Sequence, residues 1–257
     1  MMDSKWRIVI SKETDPEWNI ALDEAILRGV IDHGSPNTIR IWQNSKSVIM
    51  GRSQDVRAEV NTELCNELGI PIIRRCSGGG TVYMDLGNYN YSINADTRTI
   101  IGVNSIPDIT RFLCSAIIDL LSQLGCKPRF VPPSSVFIED WKVSGSAQYY
   151  LYEGILHHGT LLIDSDLDMM HRVLNPNSEL AHSLGTVPSI PDPVANISLL
   201  LGKELHSQEI VKRLVGSITK LLGQNCWGLG SISESENELA QLLVDTKYSD
   251  TCWLLGI

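Results

Sequence analysis

The 257-residue chain has no apolar run of membrane-spanning length, no CxxC pair and no block of basic residues. Its apolar stretches near Ile117 and Leu199 are short and broken by polar side chains, so no membrane span is expected. Met1 to Trp6 carries no apolar segment after Lys5, and a secretory signal is not expected either. The six cysteines, Cys65, Cys76, Cys114, Cys126, Cys226 and Cys252, show no metal-ligand spacing alongside the six histidines. Reduced thiols in a cytoplasmic protein are the simple reading. Lys and Arg total 21 against 30 Asp and Glu, a net charge of -9. That balance argues against a broad phosphate-binding face, and nucleic acid is not an expected partner.

What is present is enough chain to bury one large domain. Lys5 to Ile10 reads as a strand, and Asp15 with Pro16 as the start of a helix whose buried stripe is Trp18, Ala21, Leu22, Ala25, Ile26 and Val30, with Gly34 as its stop. Strands follow at Thr38 to Trp42, Ser47 to Met50, Pro71 to Arg75 and Tyr89 to Asn94, with a short helix near Asn61 to Leu68. A long amphipathic helix is expected over Ile109 to Leu124, strands between Phe130 and Ile163, and a helix from about Asp166. Asn175 to Asn196 holds Pro176, Pro188, Pro191 and Pro193 with little periodicity, which suits a surface loop or lid. Two more helices are expected at His206 to Leu222 and Glu234 to Lys247. Strands and helices are grouped, so the expectation is α+β with a largely antiparallel sheet flanked by helices. A seam near Trp227 to Ser233 would divide a core over 1–226 from a helical appendage over 234–257.

Two stretches carry chemistry. In "IIRRCSGGGTVYMDLGNYNYSI", Ile72 to Ile93, three glycines, Gly78, Gly79 and Gly80, let backbone N–H groups approach a ligand, with Arg74, Arg75 and Ser77 beside them as donors to phosphate or carboxylate oxygens. Alone, such a turn is equally a flexible hairpin with solvated arginines. In "WKVSGSAQYYLYEGILHHGTLLID", Trp141 to Asp164, Lys142 precedes the small residues Ser144, Gly145, Ser146 and Ala147, which would let a ligand lie against the strand. A lone lysine there is more often an exposed strand-end charge. His157 and His158 alternate on a strand, so only one can face a site, and neither has a third ligand at zinc spacing.

Together the stretches resemble the lipoate-protein ligase A family, within the biotin/lipoate ligase and octanoyltransferase group, whose catalytic domain carries RRxSGGGxVxxDxGNxNyS followed by KxSGsAq and HHGTLL. The matching residues are Arg74, Arg75, Ser77, Gly78, Gly79, Gly80, Val82, Asp85, Gly87, Asn88 and Asn90, then Lys142, Ser144, Gly145, Ala147, His158, Gly159 and Leu161. The likeness extends to "NIALDEAI", to "IRIWQNSKSVIMGRSQ" with Trp42 and Arg52, and to "DLDMM", "PVANI" and "KYSDTCW". It implies a class II synthetase-like α+β domain that activates lipoate with ATP and Mg2+ and passes the lipoyl group to a lysine of a carrier domain, such as a 2-oxoacid dehydrogenase subunit or the glycine cleavage H protein. By the same resemblance Lys142 is the catalytic residue. Arg74, Arg75, Ser77, Gly78, Gly79, Gly80, Val82, Asp85, Asn88, Gly145, Ser146, Ala147 and His158 hold the nucleotide or adenylate, and Trp42, Arg75, Ser77, Met84 and His158, with Val82 and Ala147, border the acyl chain. The metal ligands stay open. Single-chain bacterial members carry a further small domain beyond this point, so a separate accessory subunit is a possible partner.

Three departures stand out. Ser134 and Ser135 occupy the place of an Asn-Asp pair that usually precedes the catalytic lysine, which bears on metal and nucleotide binding. Met84 replaces a histidine beside the acyl pocket of many members. No cysteine lies between Cys126 and Lys142, where cysteine-dependent octanoyltransferases place their nucleophile, and Cys76 reads as packing within the glycine motif. The alternatives to a ligase are a lipoyl or octanoyl transferase that uses a preformed adenylate or acyl-carrier donor, and a non-catalytic lipoyl-binding module. Retention of Lys142, both arginines and the three glycines argues against the last.

Overall fold

The computed structural model describes residues 6–100, 105–223 and 227–257. The readings on Met1 to Lys5 and on Cys226 lie outside the described residues. The chain opens with β1 (Trp6–Ile10) and α1 (Pro16–Asp32). Asp15 caps α1 by accepting the Trp18 N–H at 2.8 Å, and Pro16 costs nothing in a first turn that has no partner for its N–H. Next come β2 (Asn37–Trp42), β3 (Ser47–Met50), α2 (Val56–Glu59), α3 (Thr62–Leu68), β4 (Ile72–Arg74), β5 (Val82–Met84) and β6 (Asn88–Asp96). The long helix α4 (Ile106–Gln123) begins three residues before the expected start, because Ser105 caps it and Pro107 fits its first turn.

The middle of the chain forms β7 (Pro128–Val131), β8 (Ser135–Ile138), β9 (Trp141–Leu151) and β10 (Gly154–Leu162), then α5 (Leu167–Val173), α6 (Ser178–Ser183), α7 (Ile197–Leu201) and α8 (Ser207–Leu222). The Pro-rich segment is thus not wholly irregular: Asn177 accepts the Leu180 N–H at 2.9 Å and starts α6 inside it. β11 (Trp227–Leu229), α9 (Glu234–Leu243), a π-helical turn at Val244–Tyr248 and α10 (Thr251–Leu255) complete the described chain. The helix expected to run to Lys247 therefore changes its winding at Val244.

Eight strands form one sheet in the order β11-β1-β2-β6-β10-β9-β8-β7. β1 is parallel to both of its neighbours, and every other pair is antiparallel. A smaller sheet, β4-β3-β5, combines one parallel and one antiparallel pair. The architecture is α+β with mixed, largely antiparallel sheets. The segment read as a seam contributes β11, which pairs with β1 and so joins the large sheet, while the chain after it is helical.

Alternation along β6 builds the two layers. Tyr91, Ile93 and Ala95 point into a core with Leu113, Ile117 and Leu120 of α4 and Ile210, Leu214 and Ile218 of α8. The opposite face carries Asn88, Asn90, Ser92 and Asn94, all fully buried. Ser92 meets α1 through Asp23, and Asn88 and Asn90 border a cleft. His158 stands opposite Ser92 and His157 opposite Ile93, so the two histidines occupy opposite faces, as alternation requires.

Candidate active site

A cleft of about 510 Å³ opens between the glycine turn, the small sheet and the β9–β10 hairpin. Its apolar end is walled by Ile20, Trp42, Val82 and Met84. Trp42 is held in place by its indole N–H, which donates to Ser92 Oγ at 2.8 Å. The other end is lined by Gly79, Gly80, Gly145, Ser146 and Ala147, with Lys142 at the rim.

Gly79 takes φ +84°, the left-handed region open to glycine, and Gly51 presses so closely against it that a Cβ there would lie 2.0 Å from the Gly79 carbonyl oxygen. Arg75 shapes the same turn. Its Nη2 donates to Gly78 O at 2.5 Å and Gly80 O at 2.8 Å, Nη1 to Ile49 O at 3.0 Å and Nε to Ser77 Oγ at 2.9 Å. Burial lowers its pKa to about 10, which leaves it cationic at neutral pH. The turn therefore carries a fixed positive charge behind its amides.

Arg74 is placed differently from expectation. Its guanidinium is buried and donates to Gly51 O, Arg52 O, Gln54 O and Leu254 O, at 2.6 to 3.2 Å, away from the cleft. It fastens α10 and the 51–54 turn to β4. Asp85 also lies outside the cleft wall. It accepts from Gly87 N, Ser165 Oγ and Asp166 N at 2.7 to 2.9 Å and so ties the β5–β6 turn to the start of α5. Ser77 and Gly78 sit behind the wall. Trp42, Arg75, Gly79, Gly80, Val82, Met84, Asn88, Lys142, Gly145, Ser146, Ala147 and His158 all border the cleft.

His158 offers no free nitrogen to a ligand. Its Nδ1 is 3.1 Å from Asp23 Oδ2 and its Nε2 is 2.7 Å from Ser77 Oγ, so the cleft meets the ring itself. His157, on the far face, takes the Gln148 amide at Nδ1, and burial drives its pKa down to about 3. Cys76 is enclosed in a small apolar cluster with Leu27 and Leu156. Burial, then the charge of Glu24, pushes its thiol up to about 12, which argues against a nucleophilic role.

Sequence reasoning missed several residues of the cleft. The Pro-rich segment folds over it: Ser189 Oγ accepts from Thr81 N and Gln54 Nε2 at 2.9 Å each, and Glu59 accepts the Ser189 N–H at 2.9 Å. Asp192 from the same segment pairs with Lys142 at 2.8 Å. The backbone joins in, since Lys142 N donates to Pro193 O and Ala195 N to Lys142 O. Asn90, two residues from Asn88 on one strand face, was findable by alternation. Asp192 had no local signal. Ser134 and Ser135 do line the cleft, and Ser134 O accepts the Ser146 N–H at 2.9 Å. No grouping of three or more His, Cys, Asp or Glu side chains suited to a metal occurs among the described residues. Nor is any helix among them long and apolar enough to cross a membrane.

A glycine turn backed by an arginine, a lysine at the rim and an apolar slot, mounted on this α+β frame, make up an acyl-group-handling catalytic domain. Residues 15–219 match the family model of the lipoyl protein ligase A/B catalytic domain, and the chain belongs to that family. It is 32% identical over 234 residues to the putative lipoate-protein ligase A of Aeropyrum pernix, covering 91% of this chain and 86% of that protein. Among solved structures, the archaeal lipoylation system of Thermoplasma acidophilum, a bi-partite lipoate protein ligase and its E2 lipoyl domain, includes a chain that superposes with a TM-score of 0.82 at 27% identity, over 100% of this chain and 97% of that one. A lipoate-protein ligase A bound with ATP gives a TM-score of 0.83 at 26% identity, over 98% and 99% of the two chains.

Proposed function

We propose that the protein is a lipoate-protein ligase that activates lipoate with ATP to lipoyl-AMP and transfers the lipoyl group to a specific lysine of a lipoyl carrier domain. The observation that carries this reading is the position of Lys142, a partly buried lysine that lines one cleft together with the glycine turn and the apolar side chains of Ile20, Trp42, Val82 and Met84. Relatives of the same fold, a ligase bound with ATP and a bi-partite ligase of a lipoylation system that includes an E2 lipoyl domain, support it.

A carboxylate does not acylate an amine in water because its leaving group would be oxide. In the reading proposed here, the lipoate oxygen forms a bond to the α-phosphorus as pyrophosphate departs. The carrier amine then bonds to the carbonyl carbon and AMP leaves. Both steps concentrate negative charge on phosphate and acyl oxygens. The ammonium of Lys142 and the amides of Gly79 and Gly80 are the donors assigned to that charge, and fixed donors need no reorganisation as it develops. The wall of Ile20, Trp42, Val82 and Met84 takes the apolar chain and dithiolane. The segment around Ser189 covers the cleft and keeps water from the mixed anhydride.

Mg2+ suits this site by its donors. Of the two carboxylates in the cleft wall, Glu59 is engaged by Ser189, whereas Asp192 faces Lys142. The amides of Asn88 and Asn90 are buried there without a hydrogen-bond partner among the described residues. Mg2+ usually takes one or two protein carboxylates and completes its shell with phosphate oxygens and water, so Asp192, Asn88 and Asn90 would hold it. The ion would neutralise charge on the triphosphate. Partners in this reading are a 2-oxoacid dehydrogenase or H-protein lipoyl domain and an accessory subunit, all in the cytoplasm, with 234–257 as an appendage serving a 1–226 core.

The test is lipoate-dependent exchange of labelled pyrophosphate into ATP, with and without a candidate accessory chain, followed by lipoyl transfer to a carrier domain. Lys142→Ala should fold normally and lose about a hundredfold or more in rate. Full exchange in that variant would remove the active centre proposed here. Transfer from a preformed adenylate without exchange would mark a transferase.

A further inference from the structure

Asp23 is a buried carboxylate that the chemistry above does not use. It lies on α1 and is 1% exposed. Its oxygens accept from Arg40 Nη1 at 2.9 Å, from Ser92 Oγ at 2.8 and 2.7 Å, and from His158 Nδ1 at 3.1 Å. Burial alone would raise its pKa, but the hydrogen bond with His158 and the charge of Arg40 outweigh burial and hold it below the ordinary carboxylate range. An ionised carboxylate only accepts hydrogen bonds. The shared proton is therefore on Nδ1 of His158, and in the neutral imidazole the lone pair on Nε2 accepts the Ser77 hydroxyl at 2.7 Å. With its proton so directed, Ser77 Oγ presents a lone pair to Arg75 Nε at 2.9 Å, and Arg75 in turn binds the Gly78 and Gly80 carbonyls.

We infer that Asp23 is a positioning residue: by fixing the tautomer of His158 it aims Ser77 at Arg75 and so sets the shape of the glycine turn. The inference rests on the ligase reading only for what that turn does, because the order of donors and acceptors stands on its own geometry. The chain Asp23, His158, Ser77, Arg75 runs from the core to the cleft with a donor matched to an acceptor at every link. Substituting an amide at Asp23 breaks the match at one point. The single amide oxygen is claimed by the Arg40 guanidinium, the stronger donor, which turns the NH2 group toward His158 Nδ1. The imidazole proton must then move to Nε2, and the buried Ser77 hydroxyl proton loses its acceptor.

The experiment has a spectroscopic and a kinetic arm. Histidine 15N spectra of the wild type and of Asp23→Asn, with the His158 signals identified by their absence in His158→Gln, should show the proton on Nδ1 in the former and on Nε2 in the latter. In pyrophosphate exchange, Asp23→Asn and Ser77→Ala should each lower kcat/KM for ATP by about 10- to 100-fold, by analogy with the loss of a hydrogen-bond partner that orients a metal-bound histidine. The double variant should be no worse than either single one, since both cut the same chain. Ser77→Ala leaves the Arg40 pair intact and so reports even where Asp23→Asn folds poorly. A wild-type proton on Nε2, or losses that multiply in the double variant, would overturn the inference. A wild type without exchange would overturn the ligase reading, and the tautomer would still decide the role of Asp23.

Discussion

Lys142 Nζ and Asp192 Oδ2 stand 2.8 Å apart across the mouth of the cleft, with both side chains about three-quarters buried. They come from segments fifty residues apart, and the Pro-rich segment brings the carboxylate to the lysine through backbone bonds on both sides of Lys142. A nucleotide phosphate that takes the lysine must release the carboxylate. A partly exposed pair of this kind contributes only about 0–1 kcal/mol, so its release is no large barrier. What it leaves behind is a free carboxylate beside the phosphates.

The first prediction concerns that carboxylate. Asp192→Asn removes a negative charge next to Lys142, and ATP binding in the absence of divalent cation should tighten severalfold. Binding in the presence of Mg2+ should gain much less from the ion than in the wild type. Calorimetric titration of ATP with and without Mg2+ reads both. An unchanged Mg2+ dependence would show that Asp192 takes no part in holding the ion.

Met84 supplies the second. It is 5% exposed, packs with Ile20 and Trp42, and borders the apolar end of the cleft. Met84→Ala should deepen the slot and shift preference toward acids longer than lipoate. One methylene is worth roughly 1–3 kcal/mol of discrimination, a 10- to 200-fold change at most. Exchange rates for a series of fatty acids measure the shift. The same order of preference in both proteins would move the acyl chain elsewhere.

The third follows from the C-terminal clamp. Trp253 Nε1 donates to Arg74 O at 2.7 Å, while the Leu254 carbonyl accepts from the Arg74 guanidinium. Trp253→Phe keeps the ring and loses the donor, which costs about 1 kcal/mol and lowers the melting temperature by roughly 2–4 °C in a chain of this size. Because Arg74 also holds the 51–54 turn against the glycine loop, KM for ATP should rise more than kcat falls. A variant that melts earlier with unchanged kinetics would confine the clamp to stability.

Much of the site was legible in the sequence because its chemistry is written in short, contiguous spacings. Three glycines after a strand, a lysine before small residues and two histidines in alternation each constrain the backbone locally. Adjacent arginines were harder. Arg74 and Arg75 look alike in the sequence, yet Arg74 is held behind the small sheet by carbonyl oxygens of distant segments, and Arg75 alone supports the glycine turn. The roles of Asp23, within the quoted "NIALDEAI", and of Asp192 were not legible for a related reason. Their roles depend on contacts with residues 135 and 50 positions away in sequence, which no local pattern encodes. The short helices α2, α6, α7 and α10, of four to six residues, lack the repeats that make a helical period visible.

A final prediction concerns acid. The pKa of His157 is lowered to about 3 by burial from 6.5, so the folded protein keeps it neutral where the unfolded chain binds a proton. Its contribution is intact above pH 6.5 and is lost as pH falls, at no more than about 1.4 kcal/mol per pH unit for one proton. Below this, Glu24, Glu236 and Asp23 add to the loss. For each, burial raises the pKa, and the paired cation, Lys247, Arg7 or Arg40, together with the hydrogen bonds around it, more than reverses that rise. Their stabilisation is present above their unfolded values of 4.5 for glutamate and 3.8 for aspartate and fades as pH drops through the lower folded values. Urea unfolding between pH 8 and 3 should therefore show a shallow decline beginning near 6.5 and a steeper one below 4.5. His157→Gln should flatten the first decline and leave the second. A first decline that persisted in this variant would assign it to another group.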